Sequence, residues 1–162
     1  MIERAVLDKI LDRHAHDPAN IIAILQDMQA EVNWLPEEDL RTVCKELGIP
    51  FSKMMSLASF YRAFSLKPRG KHIVQVCLGT ACHVRGAVRI VDTIERELGV
   101  EAGGSDKDLQ FTLETVNCLG ACALGPIIVI DGEYYGGMTS ARATRLLKQV
   151  TKAGGNGDGD VE

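Results

Sequence analysis

The sequence has no apolar run of roughly 18 residues, the length at which a segment becomes a candidate transmembrane helix. Residues 1–9 are rich in charge and lack the hydrophobic stretch of a secretory signal. No Lys- and Arg-rich cluster offers a footprint for nucleic acid, and the formal net charge is −4. These absences argue against direct membrane insertion and nucleic-acid binding, and they favour a cytoplasmic location.

Motifs of nucleotide sites and of thiol-redox sites are missing as well. The chain contains no G-x-G-x-x-G fingerprint and no phosphate-binding P-loop. It also contains no C-x-x-C motif of the kind that thiol oxidoreductases use. Neither a dinucleotide site nor a phosphate site of these types is therefore expected on this chain, and we assign no catalytic residue.

The number of cysteines carries information about the chemistry of this chain. The chain has 162 residues, 46% of them hydrophobic, so a real core is available. Five cysteines are present, an odd number, in a chain without a visible secretory signal. This combination favours reduced thiols and metal ligands over a disulfide framework.

Four of these cysteines form two short loops. Cys77 and Cys82 are spaced as C-x4-C, and Cys118 and Cys122 follow as C-x3-C. Both loops are rich in small residues, which let backbone N–H groups approach a bound anion or sulfur closely. Four thiolates in two loops that converge suit a metal centre with sulfur ligands. From the residues alone, a structural zinc site and redox-active thiols remain as alternatives.

Each cysteine pair follows a predicted strand. Residues 72–76 and 110–117 are typical of strands, and each run leads directly into a pair. Both pairs therefore lie beyond the carboxyl ends of strands, where α/β sheets place their sites. A helix is expected after Cys82 because apolar residues recur at helical spacing, namely Val84, Val88, Val91, Ile94 and Leu98.

The first 66 residues predict a small bundle of four helices. The third helix is expected to begin at Pro36 and to end at Gly48. Cys44 lies on its apolar face and is expected to be a buried structural thiol. Ser52 is the expected N-cap of the fourth helix, whose predicted apolar side consists of Met54, Leu57, Tyr61 and Phe64.

Residues 71–150 predict the element order β-α-β-β-α. Asp131-Gly132 stands between two β-branched or aromatic runs and is a strong signal for a hairpin turn. Thr139 or Ser140 is expected to cap the last helix. The glycine-rich acidic tail, residues 153–162, is expected to be disordered.

The cysteine segments, residues 76–87 and 118–126, resemble the thioredoxin-like [2Fe–2S] ferredoxin subunit of respiratory complex I, the 24 kDa subunit family. The same subunit type occurs in NAD(P)-linked hydrogenases and formate dehydrogenases. The resemblance covers residues 1 to about 150 and includes the Trp34-Leu-Pro and Ser-Phe-Tyr61 segments. It implies an N-terminal helical bundle followed by a thioredoxin-like α/β domain. Thioredoxin-like folds often have a cis-proline before a strand, which makes Pro126 a candidate.

The resemblance also implies a cofactor and a role. Cys77 and Cys82 would bind one iron of a [2Fe–2S] cluster, and Cys118 and Cys122 would bind the other. The cluster would relay single electrons beside a flavin, FMN, held by a separate NAD(P)H-oxidising flavoprotein subunit, with further iron–sulfur subunits in the complex. The chain would be a subunit of an oxidoreductase without a substrate site of its own. Gly79, Gly120 and Gly125 would expose N–H groups toward sulfur.

Three other functions are compatible with parts of the pattern. A free-standing thioredoxin-like ferredoxin is one, although the N-terminal bundle has no evident use in a diffusing carrier. A zinc-stabilised interaction module is the second, although structural zinc prefers C-x2-C pairs. A thiol oxidoreductase is the third, and the missing C-x-x-C motif argues against it.

Overall fold

The computed structural model describes residues 1–154, which fall into two compact units, Met1–Lys71 and a second that begins at His72. The last helix extends to Gly154, so the expected tail begins two residues too early. The rest of that tail, residues 155–162, lies outside the described residues. No helix within residues 1–154 combines the length and the apolar character needed to cross a membrane.

The first unit consists of amphipathic helices around one apolar core. Helix α1 covers Arg4–Arg13, α2 covers Ile21–Val32, α3 covers Glu37–Leu47 and α4 covers Phe51–Phe60. A short 3₁₀ turn, Pro18–Asn20, precedes α2. The fully buried core side chains come from all four helices and from the α2–α3 connection: Leu11, Ile24, Leu25, Met28, Leu35, Leu40, Val43 and Met54.

The C-terminal end of α3 agrees with the prediction and its first residue is Glu37 rather than Pro36, whereas both ends of α4 differ from the prediction. Helix α3 begins after Pro36 and ends at Gly48, whose φ of 64° is the left-handed conformation that glycine adopts readily. The prediction of Ser52 as the N-cap of α4 is wrong, because the helix begins at Phe51 and Pro50, in an extended conformation, occupies the N-cap position. The helix ends at Phe60, so Tyr61 and Phe64 lie beyond it and do not continue its apolar side.

The second unit is a four-stranded sheet with helices packed on it. Strands β1 (His72–Cys77), β2 (Phe111–Val116), β3 (Ile128–Ile130) and β4 (Glu133–Tyr135) lie in the order β2-β1-β3-β4. Strand β1 pairs in parallel with β2 and antiparallel with β3. Strands β3 and β4 form the predicted hairpin, with Asp131 and Gly132 both at positive φ.

One face of this sheet carries the core of the second unit. Val74 pairs with Leu113 on one side and Ile130 on the other, which places three buried side chains in one row. Helices α6 (Ala87–Leu98) and α7 (Ser140–Gly154) pack against this row. The unit thus mixes α and β elements as predicted, but the predicted order β-α-β-β-α is incomplete, because the described part of this unit contains four strands where that order named three.

The prediction of a single helix after Cys82 is wrong. The chain forms a short helix α5, Thr80–Val84, and then turns at Gly86 with a φ of 97° before α6 begins. The turn rotates the following residues relative to the predicted apolar stripe. Val84 is therefore 80% exposed and Val88 is 41% exposed. The buried face of α6 consists instead of Ala87, Ile90, Val91 and Ile94.

A matched pair of valines tests this assignment. Val91→Ala is expected to lower the free energy of unfolding by about 2 kcal/mol, because it removes two methyl groups from a buried site. Val88→Ala, on the exposed side of the same helix, is expected to change it by less than about 0.5 kcal/mol. Chemical denaturation of both variants measures the difference, and equal losses would contradict the observed break at Gly86.

Candidate metal centre

The parallel pairing of β1 and β2 brings the two cysteine loops to one edge of the sheet. Cys77 is the last residue of β1 and lies opposite Val116, the last residue of β2. The N–H of Leu78 then donates to the carbonyl of Val116 over 2.8 Å, which extends the pairing past both strands. Cys118 follows two residues later. Both loops consequently begin side by side, in agreement with the prediction that each pair lies beyond the carboxyl end of a strand.

The first loop is compact because Gly79 has no side chain. A Cβ placed on Gly79 would lie 2.7 Å from the carbonyl oxygen of Asn117, a backbone atom that cannot swing away. The same point lies 3.5 Å from Cys77 Sγ and 3.5 Å from Cys118 Cβ. Gly79 therefore allows the two cysteine loops to touch, and α5, with Cys82 inside it, begins directly afterwards.

The second loop turns twice before it reaches β3. Gly120 has a φ of 80°, and Cys122 begins a 3₁₀ turn, Cys122–Leu124. The peptide bond between Gly125 and Pro126 is cis, in agreement with the expectation from the resemblance. A Cβ on Gly125 would lie 3.0 Å from Cys82 Sγ, so this loop closes directly over the first pair.

The four cysteine sulfurs form one interacting group. Burial raises the pKa of Cys77, but the N–H groups of Gly79 and Leu119 and the thiols of Cys82 and Cys118 outweigh burial and hold that pKa below its usual range. Burial raises the pKa of Cys82, and the adjacent Cys77 raises it further. The pKa of Cys77 is therefore held below that of Cys82. The charge of Cys122 also acts on Cys82, which connects both loops electrostatically.

Backbone N–H groups surround the sulfur atoms. Gly79 donates to Cys77, and Gly120 donates to Cys118 Sγ over 3.3 Å, as the sequence predicted. Gly125 differs, because its N–H donates to the carbonyl of Cys122. Two donors were not predicted, the N–H of Leu119 toward Cys77 and that of Ile127 toward Cys82. Since almost every residue has an N–H, the sequence carries no signal for these two donors.

The two pairs differ in exposure. Cys77 and Cys82 are 2% and 1% exposed, whereas Cys118 and Cys122 lie at the surface. Within residues 1–154, no three His, Cys, Asp or Glu side chains are placed as ligands of a single metal ion. The arrangement is one of two cysteine pairs in contact, with N–H donors directed at three of the sulfurs.

The chemistry around the sulfurs fits a negatively charged iron–sulfur group. Residues 79–91 and 117–130, which contain most of both loops, include no Asp or Glu. Main-chain N–H groups directed at sulfur and partial burial are the features that stabilise such clusters. Cys44 belongs to the first unit, where it is buried in the helical core and burial raises its pKa, so it is an inert structural thiol as expected.

Two curated relatives are similar over most of their length. The chain is 31% identical over 130 residues to a subunit of the NADP-reducing hydrogenase of Solidesulfovibrio fructosivorans, covering 80% of this chain and 76% of the relative. It is 33% identical over 137 residues to a subunit of the NADH-quinone oxidoreductase of Rickettsia conorii, covering 83% of this chain and 82% of the relative.

A solved structure shares the fold. The chain matches the crystal structure of an NAD⁺-reducing [NiFe]-hydrogenase with a TM-score of 0.71 and 17% sequence identity. The match covers 83% of this chain and 23% of the hydrogenase chain, so the chain spans about a quarter of that protein.

The family assignment follows from one further comparison. The family model described as thioredoxin-like [2Fe-2S] ferredoxin matches residues 7–151, which is nearly all of the described structure. Both cysteine loops lie inside this match, together with most of the helical unit. The resemblance inferred from the cysteine segments and the expected fold class are thereby confirmed: the chain belongs to the thioredoxin-like [2Fe–2S] ferredoxin family.

Proposed function

We propose that this chain is an electron-transfer subunit that carries one [2Fe–2S] cluster in an NAD(P)H-linked oxidoreductase complex. The observation that carries the proposal is the convergence of two cysteine loops at one sheet edge, with N–H donors directed at sulfur. Two relatives named as subunits of an NADP-reducing hydrogenase and of an NADH-quinone oxidoreductase support the larger setting.

Cys77 and Cys82 would hold one iron, and Cys118 and Cys122 the other. When bound, such a cluster supplies one-electron oxidation and reduction at a potential that the protein adjusts. The chain's own part is to hold four thiolates and to offset their charge with N–H groups. The buried pair would keep one side of the group dry, while the exposed pair would leave the other side open to an electron donor or acceptor.

The partner in this proposal is a flavoprotein subunit that holds FMN and oxidises or forms NAD(P)H, with further iron–sulfur subunits beyond it. This chain would contribute no substrate site, because it has neither dinucleotide fingerprint nor P-loop. We further propose that the complex is cytoplasmic, including the cytoplasmic face of a membrane complex, and that the helical unit docks this chain to the flavoprotein subunit.

The electron-transfer proposal is tested on the intact complex. A tagged full-length chain is purified without oxygen, once with its partners and once alone after dissociation. We expect NAD(P)H to bleach the visible absorption of the chain within the complex, whereas the isolated chain responds only to dithionite. If NAD(P)H bleached the isolated chain as quickly, the need for a separate flavoprotein would be refuted. If the complexed chain bleached only with dithionite, the relay role would be refuted.

Docking by the helical unit predicts a separate result. Deletion of residues 1–71 is expected to leave a chain that still binds iron, because the second unit has its own core. Co-purification of the flavoprotein subunit with this shortened chain should fall by at least about tenfold, which corresponds to 1.4 kcal/mol of lost binding free energy. Iron content is the control for folding. Undiminished co-purification would rule out docking by the helices.

A further inference from the structure

Arg85 connects the two cysteine loops. It follows directly after α5, the helix that contains Cys82. Its Nη1 donates to the carbonyl oxygen of Cys122 over 3.1 Å and to the carbonyl oxygen of Gly125 over 3.1 Å. These two carbonyls stand at the start of the 3₁₀ turn of the second loop and immediately after it. One guanidinium nitrogen therefore fastens the second loop to the helix of the first.

The guanidinium lies close to sulfur through this contact. A Cβ built on Gly125 would lie 3.0 Å from Cys82 Sγ and 3.5 Å from Arg85 Nη1, so both groups face the same stretch of backbone. Arg85 binds the carbonyl oxygens of Cys122 and of Gly125, the residue that covers Cys82. A change in the position of Arg85 would consequently change the spacing between the two cysteine pairs.

Within the described residues, the positive charge of Arg85 is not cancelled by a carboxylate. Its side-chain contacts within the described structure are carbonyl oxygens, and residues 79–91 and 117–130 contain no Asp or Glu. The whole chain has a formal net charge of −4, so two acid-free segments with an arginine that joins the cysteine loops stand out against its composition. A fixed positive charge beside a site that gains an electron favours the reduced state.

We propose that Arg85 is a positioning residue of the sulfur site, which sets the distance between the two cysteine loops and favours reduction through its uncompensated charge. The inference rests on the proposed function, because it requires a redox group held by Cys77, Cys82, Cys118 and Cys122. It assigns two separable effects to one side chain. The double hydrogen bond holds the loops together, and the charge shifts the reduction equilibrium.

Three full-length variants separate these effects. Arg85→Gln removes the charge and shortens the side chain, whereas Arg85→Lys keeps the charge but ends one atom short of the position of Nη1. Arg89→Gln is the matched control, since Arg89 is an exposed arginine four residues away and its side chain makes none of the contacts described for Arg85. Each protein is purified without oxygen. The midpoint potential is then measured by redox titration, and iron loss to a chelator is followed in time.

We expect the equilibrium constant for reduction to fall about three- to tenfold in Arg85→Gln, where tenfold is 59 mV for one electron. Arg85→Lys should keep a potential near that of the wild-type chain. Both Arg85 variants should release iron several-fold faster than the wild-type chain, and Arg89→Gln should match the wild-type chain in both measurements.

Other outcomes count against the proposal. An unchanged potential in Arg85→Gln, or an equal shift in Arg89→Gln, would overturn the role of the charge. Wild-type rates of iron loss in both Arg85 variants would overturn the positioning role. If Arg85→Gln holds no iron, the midpoint potential of Arg85→Lys tests the role of the charge. A lowered potential in Arg85→Lys would contradict that role, and a potential near that of the wild-type chain would support it. A wild-type chain without iron and sulfide would instead remove the proposed function itself, and this inference with it.

Discussion

Cys77→Ser is expected to reduce the iron and acid-labile sulfide content of the purified chain by at least about tenfold, because the substitution removes one of the four proposed sulfur ligands. Cys77 is buried and receives two N–H hydrogen bonds, so no solvent ligand can take its place without rearrangement. Metal and sulfide analysis of protein purified without oxygen measures the effect. The visible absorption of the cluster should disappear in parallel.

Cys44→Ser is the matched control for this prediction. It exchanges the same atom at another buried cysteine, one that lies in the helical core of the first unit. We expect a loss of roughly 1–2 kcal/mol in unfolding free energy from burying a hydroxyl, with iron and sulfide unchanged. If the Cys44 variant lost its iron while the Cys77 variant kept two irons, the assignment of ligands would be wrong.

Gly79→Ala is expected to have the second largest effect, although alanine is a small residue. Its Cβ would lie 2.7 Å from the carbonyl oxygen of Asn117, closer than real Cβ atoms approach a backbone oxygen. The two cysteine loops must separate to relieve this contact. We expect a loss of about 1–3 kcal/mol in unfolding free energy. Because the loops carry the proposed ligands, iron content should fall as well.

Gly99→Ala separates the loss of stability from the loss of the site. Gly99 ends α6 with a φ of 66°, and a Cβ there meets no atom within 4 Å. Alanine at this position is destabilising by roughly 1–2 kcal/mol through its backbone conformation alone. We expect this variant to keep full iron and sulfide. If Gly79→Ala retained as much iron as Gly99→Ala, the close approach of the loops would have no role in the site.

Features with a local physical cause could be predicted from the sequence. Gly48 ends α3 because glycine adopts the left-handed conformation, and Asp131-Gly132 forms a hairpin turn because both residues tolerate positive φ. The position of the cysteine loops also followed from local patterns, since each pair comes after a strand and parallel strands end at the same edge.

Features that depend on tertiary contacts could not be predicted. The apolar spacing from Val84 to Leu98 fits one helix, yet the chain breaks at Gly86 and exposes Val84 and Val88. In the sequence, nothing distinguishes Arg85 from an ordinary surface arginine. Its two carbonyl partners come together only when the second loop folds. The N–H donors of Leu119 and Ile127 carry no sequence signal for the same reason.

The most direct test of the central claim is the amount of iron, zinc and acid-labile sulfide per chain, measured on full-length protein purified without oxygen. A visible spectrum is recorded before and after addition of dithionite. Two irons and two sulfides per chain, with colour that bleaches on reduction, are the predicted result. A colourless protein that contains zinc and no sulfide would contradict electron transfer and leave a structural module whose cysteines hold two loops together.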